Sequence, residues 1–191
     1  MSILSKTKYL FQKKQLLMSM VSFGSLYIAA EVTQQLILLR VDPTKKSMDW
    51  KSVGNYATMG IVGIGPTLFY WYRILDFFLP GSGIRAMRKV IVDQLIGAPV
   101  ITAMFFTGMS LLEGKEDVFA ELKAKFLSTY AVSCCFWLPA QAINFCFLPP
   151  YTRVAYVGCA SFLWVNILCL IKRKEVPTSD SIETSSDVKA S

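Results

Sequence analysis

The stretch QLIGAPVITAMFFTGMSLL, residues 94–112, lies between Asp93 and Glu113 and contains no charged residue. A helix rises about 1.5 Å per residue, so about 20 residues of this kind cross a hydrocarbon core about 30 Å thick. Three more uncharged runs are of comparable length: Lys51 to Arg73, Lys125 to Arg153, and Arg153 to Lys172. Four such runs in a chain of 191 residues predict an integral membrane protein.

The composition agrees with this prediction and excludes several kinds of site. Hydrophobic residues make up 53% of the chain and charged residues 17%, against about 25% charged in a typical soluble domain. The chain has no histidine, which excludes Ser-His-Asp and Cys-His catalysis and histidine metal sites. Five cysteines lie in apolar runs without the spacing of a zinc site or a disulfide framework: Cys134, Cys135, Cys146, Cys159 and Cys169. We therefore expect no catalytic residue, no metal, no cofactor and no enzyme activity.

The order of apolar and polar segments predicts an all-α membrane bundle of four to five transmembrane helices. Their approximate positions are 16–39, 53–78, 90–112, 127–148 and 152–171. The number stays open because 127–148 contains Pro139 and could either cross the bilayer or lie partly in its interface. Apolar residues spaced four apart predict a short amphipathic surface helix near 117–126. We assign residues 1–175 to one membrane domain and expect 176–191, a polar segment, to be a disordered tail.

The N-terminal residues 1–15 are basic and contain no acidic residue, as in a mitochondrial targeting stretch. A basic start followed by an apolar run is also typical of a secretory signal. Because further apolar spans follow, we expect an uncleaved first helix. We also expect both ends of the chain to lie on one side of the membrane.

Charged and amide side chains interrupt the first predicted span. Glu31 lies at mid-depth, and Gln34 and Gln35 follow it on the same helix face. An unpaired charge at this depth costs about 2.5–3.5 kcal/mol on insertion scales, so such a residue requires a partner or water.

Polar residues also lie in the later spans. Gln141 and Asn144 share one helix face, and Asp93 precedes Gln94 and lies one turn after Lys89, which we expect to neutralise it. Two interpretations remain open, because these side chains could join helices by hydrogen bonds or line a hydrated path for small polar solutes. The candidate residues for either role are Glu31, Gln35, Asp93, Gln94, Gln141 and Asn144.

A set of motifs in a fixed order resembles a known family. The order is Gly65-Pro66, Trp71-Tyr72, Lys89-x3-Asp93-Gln94-x4-Pro99, Trp137, Gln141, Asn144-Phe145, Pro149, Arg153 and Trp164. In this order and spacing, residues 16–172 resemble the Mpv17 / PMP22 family of small mitochondrial and peroxisomal membrane proteins. Further segments are most similar to its Mpv17-like protein two branch, among them 79–85, 92–95, 112–114 and 148–156.

The resemblance implies a non-enzymatic, multi-pass protein of the mitochondrial inner membrane, with the peroxisomal membrane as the alternative location. For that branch it implies support of mitochondrial ribosome assembly and organellar translation. For other members it implies a weakly selective pore for small metabolites and a link to mitochondrial DNA maintenance. The expected partners are the lipid bilayer, mitochondrial ribosomal particles and a second copy of the chain, without specific DNA binding. The net charge of +7 suits the first two, because basic clusters near 85–89 and 172–174 can meet phosphate groups.

Overall fold

The computed structural model describes residues 3–42, 45, 47–80, 86–148 and 153–173. These residues form helices and connecting turns. The helices are α1 (Ile3–Val41), α2 (Trp50–Thr58), α3 (Gly65–Phe78), α4 (Ala86–Val92), α5 (Ala98–Glu113), α6 (Ala120–Cys146) and α7 (Arg153–Arg173). Two π-helical segments, which we call π1 (Met59–Ile64) and π2 (Asp93–Gly97), join α2 to α3 and α4 to α5. The predicted helical class is confirmed.

Four helical stretches are long and apolar enough to cross a bilayer: Lys14–Val41, Met87–Glu113, Ala120–Asn144 and Tyr156–Arg173. The uncertain prediction at 127–148 therefore falls on a continuous helix of crossing length. The predicted span at 53–78 is also helical, as part of the continuous helix α2–π1–α3. Its glycines and the polar Asn55 lower its hydropathy, and it packs along α1.

The prediction of a separate surface helix near 117–126 was wrong. Residues from Ala120 onward form the first turns of α6, and Glu121 and Lys125 are buried there. The amphipathic spacing misled because the polar face of these turns does not meet headgroups. It is covered instead by the charged ends of α5 and α7, as described below. The predicted disorder of 176–191 lies outside the described residues.

A proline follows each π segment as the second residue of the next helix. Pro66 lies in the first turn of α3 and Pro99 in the first turn of α5. A proline has no N–H to donate to the carbonyl four residues earlier, and a π turn shifts the local hydrogen bonding at such a point. Pro139 lies inside α6 without such a segment. The helices nevertheless remain continuous through both π segments.

Aromatic rings hold the centre of the bundle together. The rings of Tyr27, Tyr56 and Phe105 lie 6.1–6.4 Å apart and join α1, α2 and α5. Glycines let the helix α2–π1–α3 approach the α1 backbone closely. A Cβ atom on Gly60 would lie 2.7 Å from the carbonyl oxygen of Phe23. Such small residues permit close contact between helices in lipid, where no hydrophobic force drives their association.

Candidate functional site

A cavity of about 160 Å³ lies inside the bundle, with walls from α1, π1, α3, α4, π2, α5, α6 and α7. Most of its wall is apolar or aromatic. The polar lining residues are Tyr72, Asp93, Gln94, Thr102, Ser133, Gln141 and Ser161. Three of the predicted candidates, Asp93, Gln94 and Gln141, therefore lie together at this cavity, whereas Glu31, Gln35 and Asn144 do not line it.

Asp93 begins π2 and is held by two aromatic side chains of α3. The indole Nε1–H of Trp71 donates to Oδ1 of Asp93 at 2.7 Å. The hydroxyl of Tyr72 also hydrogen-bonds to this carboxylate. Gly97 leaves the space for this arrangement, because a Cβ there would lie 2.4 Å from Asp93 Oδ1. The family-motif pair Trp71-Tyr72 thus serves to position Asp93.

The expectation that Lys89 neutralises Asp93 was wrong. The Nζ atom of Lys89 lies 2.5 Å from Oδ1 of Asp76, at the end of α3. Lys89 precedes Asp93 by one turn, toward the start of α4 and the exposed end of the bundle, where Asp76 offers a more accessible carboxylate. Across the described part of the chain, Asp93 has only neutral hydrogen-bond donors and no cationic partner.

The two amide residues at the cavity differ in how well they are satisfied. Gln94 is 6% exposed, and its side-chain oxygen Oε1 has no hydrogen-bond partner among the described residues. The oxygen of Gln141 instead accepts from Nδ2 of Asn144 at 3.1 Å, one turn along the helix face that the two residues share. The amide oxygen of Gln94 is therefore a buried acceptor whose hydrogen-bonding capacity is unused in the described structure.

The apolar wall is rich in aromatic rings. Trp137 on α6 and Trp164 on α7, both family-motif positions, lie with their ring centroids 6.3 Å apart. Phe23, Tyr27 and Phe105 complete this side of the lining. The wall therefore offers a largely apolar, aromatic surface with few polar groups.

Glu31 belongs to a second site, which joins three helices. It is fully buried, and its Oε1 accepts from Gln35 at 2.8 Å, from Ser52 at 2.7 Å and from Arg173 at 2.6 Å. Gln35 in turn hydrogen-bonds to both backbone groups of Asp49. These contacts favour the packing interpretation for Glu31 and Gln35, with α1, α2 and α7 connected at one carboxylate.

A third cluster lies at the ends of α5 and α7 and the start of α6. Lys172 forms ion pairs with Glu113 at 2.9 Å and with Glu121. Lys115 lies 2.5 Å from Glu121 and 3.1 Å from Glu113. Partial burial alone would lower the pKa of Lys115, but its hydrogen bonds to these two carboxylates outweigh burial and raise the pKa. Lys125 completes the cluster and donates to the backbone oxygen of Lys172 at 2.7 Å.

This cluster changes the interpretation of the basic segment at 172–174. From the sequence alone, these side chains were expected to be available to phosphate groups. In the structure Lys172 and Arg173 are instead committed to carboxylates inside the fold. Arg173 was missed as a site residue, because its partner Glu31 lies 142 residues earlier in the chain.

The remaining motif positions either have mainly backbone roles or lie outside the described residues. A Cβ on Gly65 would lie 2.8 Å from the Cα of Met20, and Pro66 and Pro99 follow the π segments. The side chains of Phe145 and Arg153, and all of Pro149, lie outside the described residues. Among the residues that the structure describes, no group of three or more Cys, Asp or Glu side chains could hold a metal ion.

Comparison with known proteins gives consistent results. A model of the Mpv17 / PMP22 family matches residues 110–169. An Mpv17-like protein of Xenopus laevis is 38% identical over 155 residues, covering 81% of this chain and 75% of the relative. An Mpv17-like protein of Bos taurus is 34% identical, covering 74% and 72%. The mitochondrial inner membrane protein Mpv17 of Xenopus laevis is 31% identical, covering 78% and 84%. No solved structure matches the chain.

Proposed function

The chain belongs to the Mpv17 / PMP22 family, and from that premise we propose that it provides a path for small polar metabolites across the mitochondrial inner membrane. In this proposal the protein is not an enzyme, and the central cavity is the polar section of the path. The name of the Mpv17 relative supports the mitochondrial inner membrane as the location. The peroxisomal membrane remains the alternative.

The observation that carries this proposal is the grouping of Asp93, Gln94 and Gln141 around one cavity. Polar and ionisable residues are costly inside a membrane, and they are placed where they pair or meet water or a solute. Glu31 and Gln35 fit the first case, because Oε1 of Glu31 and the Gln35 amide bond groups of other helices and of the segment before α2, although Oε2 of Glu31 has no partner in the described structure. Asp93 and Gln94 fit the second, because both line an internal space, Asp93 has no cationic partner and the Gln94 oxygen has no partner among the described residues.

Planar-bilayer recording of the purified full chain tests the path directly. We expect single-channel conductance from the wild type, and a changed conductance for Asp93→Asn, which removes the cavity's charge. Asp76→Asn is the matched control, because Asp76 is also an acidic residue paired to a neighbour but is 68% exposed and lies away from the cavity. A lack of conductance from pure, folded protein would overturn the proposal.

Support of mitochondrial ribosome assembly and organellar translation is the second proposal, and the resemblance is its main support. Arg88 on α4 is exposed and available to phosphate, whereas Lys89, Lys172 and Arg173 are used within the fold. Co-sedimentation with ribosomal subunits from mitochondrial extracts tests this role. Arg88→Gln should weaken the association, and absence from these fractions together with unchanged organellar translation in a knockout would contradict it.

Protease protection with tags at both ends of the chain, on fractionated organelles, tests the location and the orientation. We expect the tagged protein to fractionate with mitochondrial inner membranes, to resist carbonate extraction, and to show both tags on one side. Recovery with peroxisomes would show that the protein resides in the peroxisomal membrane instead.

A further inference from the structure

The cavity combines one uncompensated carboxylate with aromatic walls. We propose that it binds a small organic cation, an alkylammonium of about six non-hydrogen atoms. This inference rests on the proposed function and deepens it, since it names the class of solute that the cavity selects.

The charge of the cavity lining favours a cationic ligand. Among the lining residues that the structure describes, Asp93 is the sole charged one. Its carboxylate accepts hydrogen bonds from Trp71 and Tyr72, which are neutral, and it has no cationic side chain beside it in the described structure. An ammonium ion in the cavity supplies the missing positive charge, whereas an anionic solute meets like-charge repulsion with no lysine or arginine to offset it.

The hydrogen-bonding groups of the cavity lining favour a ligand that donates hydrogen bonds. An ammonium group only donates hydrogen bonds, so it requires several acceptors. Gln94 is next to Asp93 in the chain and lines the same cavity, and its buried oxygen has no partner in the described structure. A buried acceptor without a donor costs about 1–3 kcal/mol, which a bound N–H group recovers. The Gln94 side chain thus carries an unused acceptor at the wall of the cavity, which a donor ligand can satisfy.

The apolar lining sets the third requirement, which concerns the rest of the ligand. Tyr27, Phe105, Trp137 and Trp164 present rings to the cavity. Aromatic faces attract organic cations and also cover alkyl groups. Divalent metals such as Ca²⁺ prefer six or more oxygen ligands, which this wall does not offer. The lining consequently fits a cation that carries carbon rather than a bare metal ion.

The cavity's volume limits the ligand's size. Its 160 Å³ is close to the volume of an apolar protein cavity, about 150 Å³, that accommodates benzene. A molecule of about six non-hydrogen atoms fits such a space, so butylammonium, with a charged head and a four-carbon chain, is a suitable probe.

The test measures binding to the purified full chain in detergent, by tryptophan fluorescence and by the thermal unfolding midpoint. Three probes of similar size are compared, namely butylammonium, neutral butan-1-ol and anionic butyrate, each against empty micelles. We expect saturable binding of butylammonium and at least tenfold weaker binding of the other two. Equal responses to butylammonium and butan-1-ol would overturn the inference.

Variants separate the site from a general effect of the probe. Asp93→Asn keeps an oxygen that can accept from Trp71, and it should weaken butylammonium binding at least tenfold. Gln94→Leu should also weaken it, whereas Asp76→Asn should bind as the wild type does. If Asp93→Asn does not fold, Ser161→Leu, which fills part of the cavity from α7, should abolish binding of the probe. Unchanged butylammonium binding in folded Gln94→Leu and Ser161→Leu would exclude this cavity.

This measurement and the bilayer recording can fail separately. Conductance without any preference for butylammonium would leave the path standing and remove the cation site. Saturable, Asp93-dependent binding without conductance would support the cation site and remove the path.

Discussion

Arg173, the last residue of α7, donates a hydrogen bond to Oε1 of Glu31 in α1, with 2.6 Å between nitrogen and oxygen. The two residues lie 142 positions apart in the sequence. Glu31 is fully buried, while the Arg173 side chain is 29% exposed. Their ion pair ties the last described helix to the first, and with Ser52 it also fixes the start of α2.

The two halves of this ion pair should respond unequally to substitution. Arg173→Met leaves the Glu31 carboxylate buried with neutral donors only, so we expect a loss of about 3–5 kcal/mol in the free energy of unfolding. Glu31→Gln should cost less, because the partly exposed Arg173 can turn toward water or headgroups. Denaturant unfolding in micelles, followed by circular dichroism, measures both. The double variant should recover part of the Arg173→Met loss, and strictly additive losses would contradict this account.

A glycine pair tests the packing of the second helix on α1. Gly60→Ala places a Cβ 2.7 Å from the Phe23 backbone oxygen, so the helices must separate. We expect a loss of about 1–3 kcal/mol, as for overpacking in a core. Gly54→Ala is the matched control in α2, where no atom lies within 4 Å of the added methyl. It should be neutral or stabilise by about 0.5–1 kcal/mol, because alanine is the better helix former. Equal thermal midpoints for the two variants would refute the close approach.

The sequence predicts the helices well because long uncharged runs have few other structures open to them. Three of the six polar candidates, Asp93, Gln94 and Gln141, lie at the cavity, since polar groups in a span turn inward. Pairing was less predictable. Lys89 was expected to bind Asp93, four residues along its own helix, but Asp76 on the preceding helix is closer. Local spacing identifies neighbours within a helix, whereas these partners depend on how separate helices pack.

The same limit explains the two largest gaps in the sequence analysis. The apolar residues near 117–126 have the same spacing whether the polar face of the helix meets headgroups or the charged ends of other helices. Spacing could therefore not distinguish these two cases. The cavity itself depends on which side chains fail to fill the space between the helices. No run of residues encodes that space.

The hydrogen bond between Trp71 and Asp93 should determine the tryptophan environment at the cavity. Trp71→Phe removes the indole donor and leaves Asp93 with Tyr72, so we expect a loss of about 1–3 kcal/mol in the free energy of unfolding. Gly97→Ala should act on the same bond, because its methyl would lie 2.6 Å from Trp71 Nε1. Tryptophan fluorescence of Gly97→Ala should shift relative to wild type. The control Gly158→Ala, with open space around the added methyl, should leave it unchanged.

The charged cluster at the ends of α5 and α7 predicts a loss of stability in alkali. The pKa of Lys115 is raised above its usual 10.5 by its contacts with Glu121 and Glu113. A group whose pKa is raised by folding stabilises fully below its unfolded pKa, and this contribution is lost as the pH rises through the folded value. Lys115→Met should therefore lower the thermal midpoint at pH 8, and the difference from wild type should shrink above pH 10.5.

Lys123→Met is the control, because Lys123 is exposed in the same region and forms no side-chain ion pair in the described structure. Its difference from wild type should stay small at both pH values. A Lys115→Met deficit that persists unchanged through the alkaline range would show that packing of the lysine stem, rather than its charge, holds this end of the bundle together.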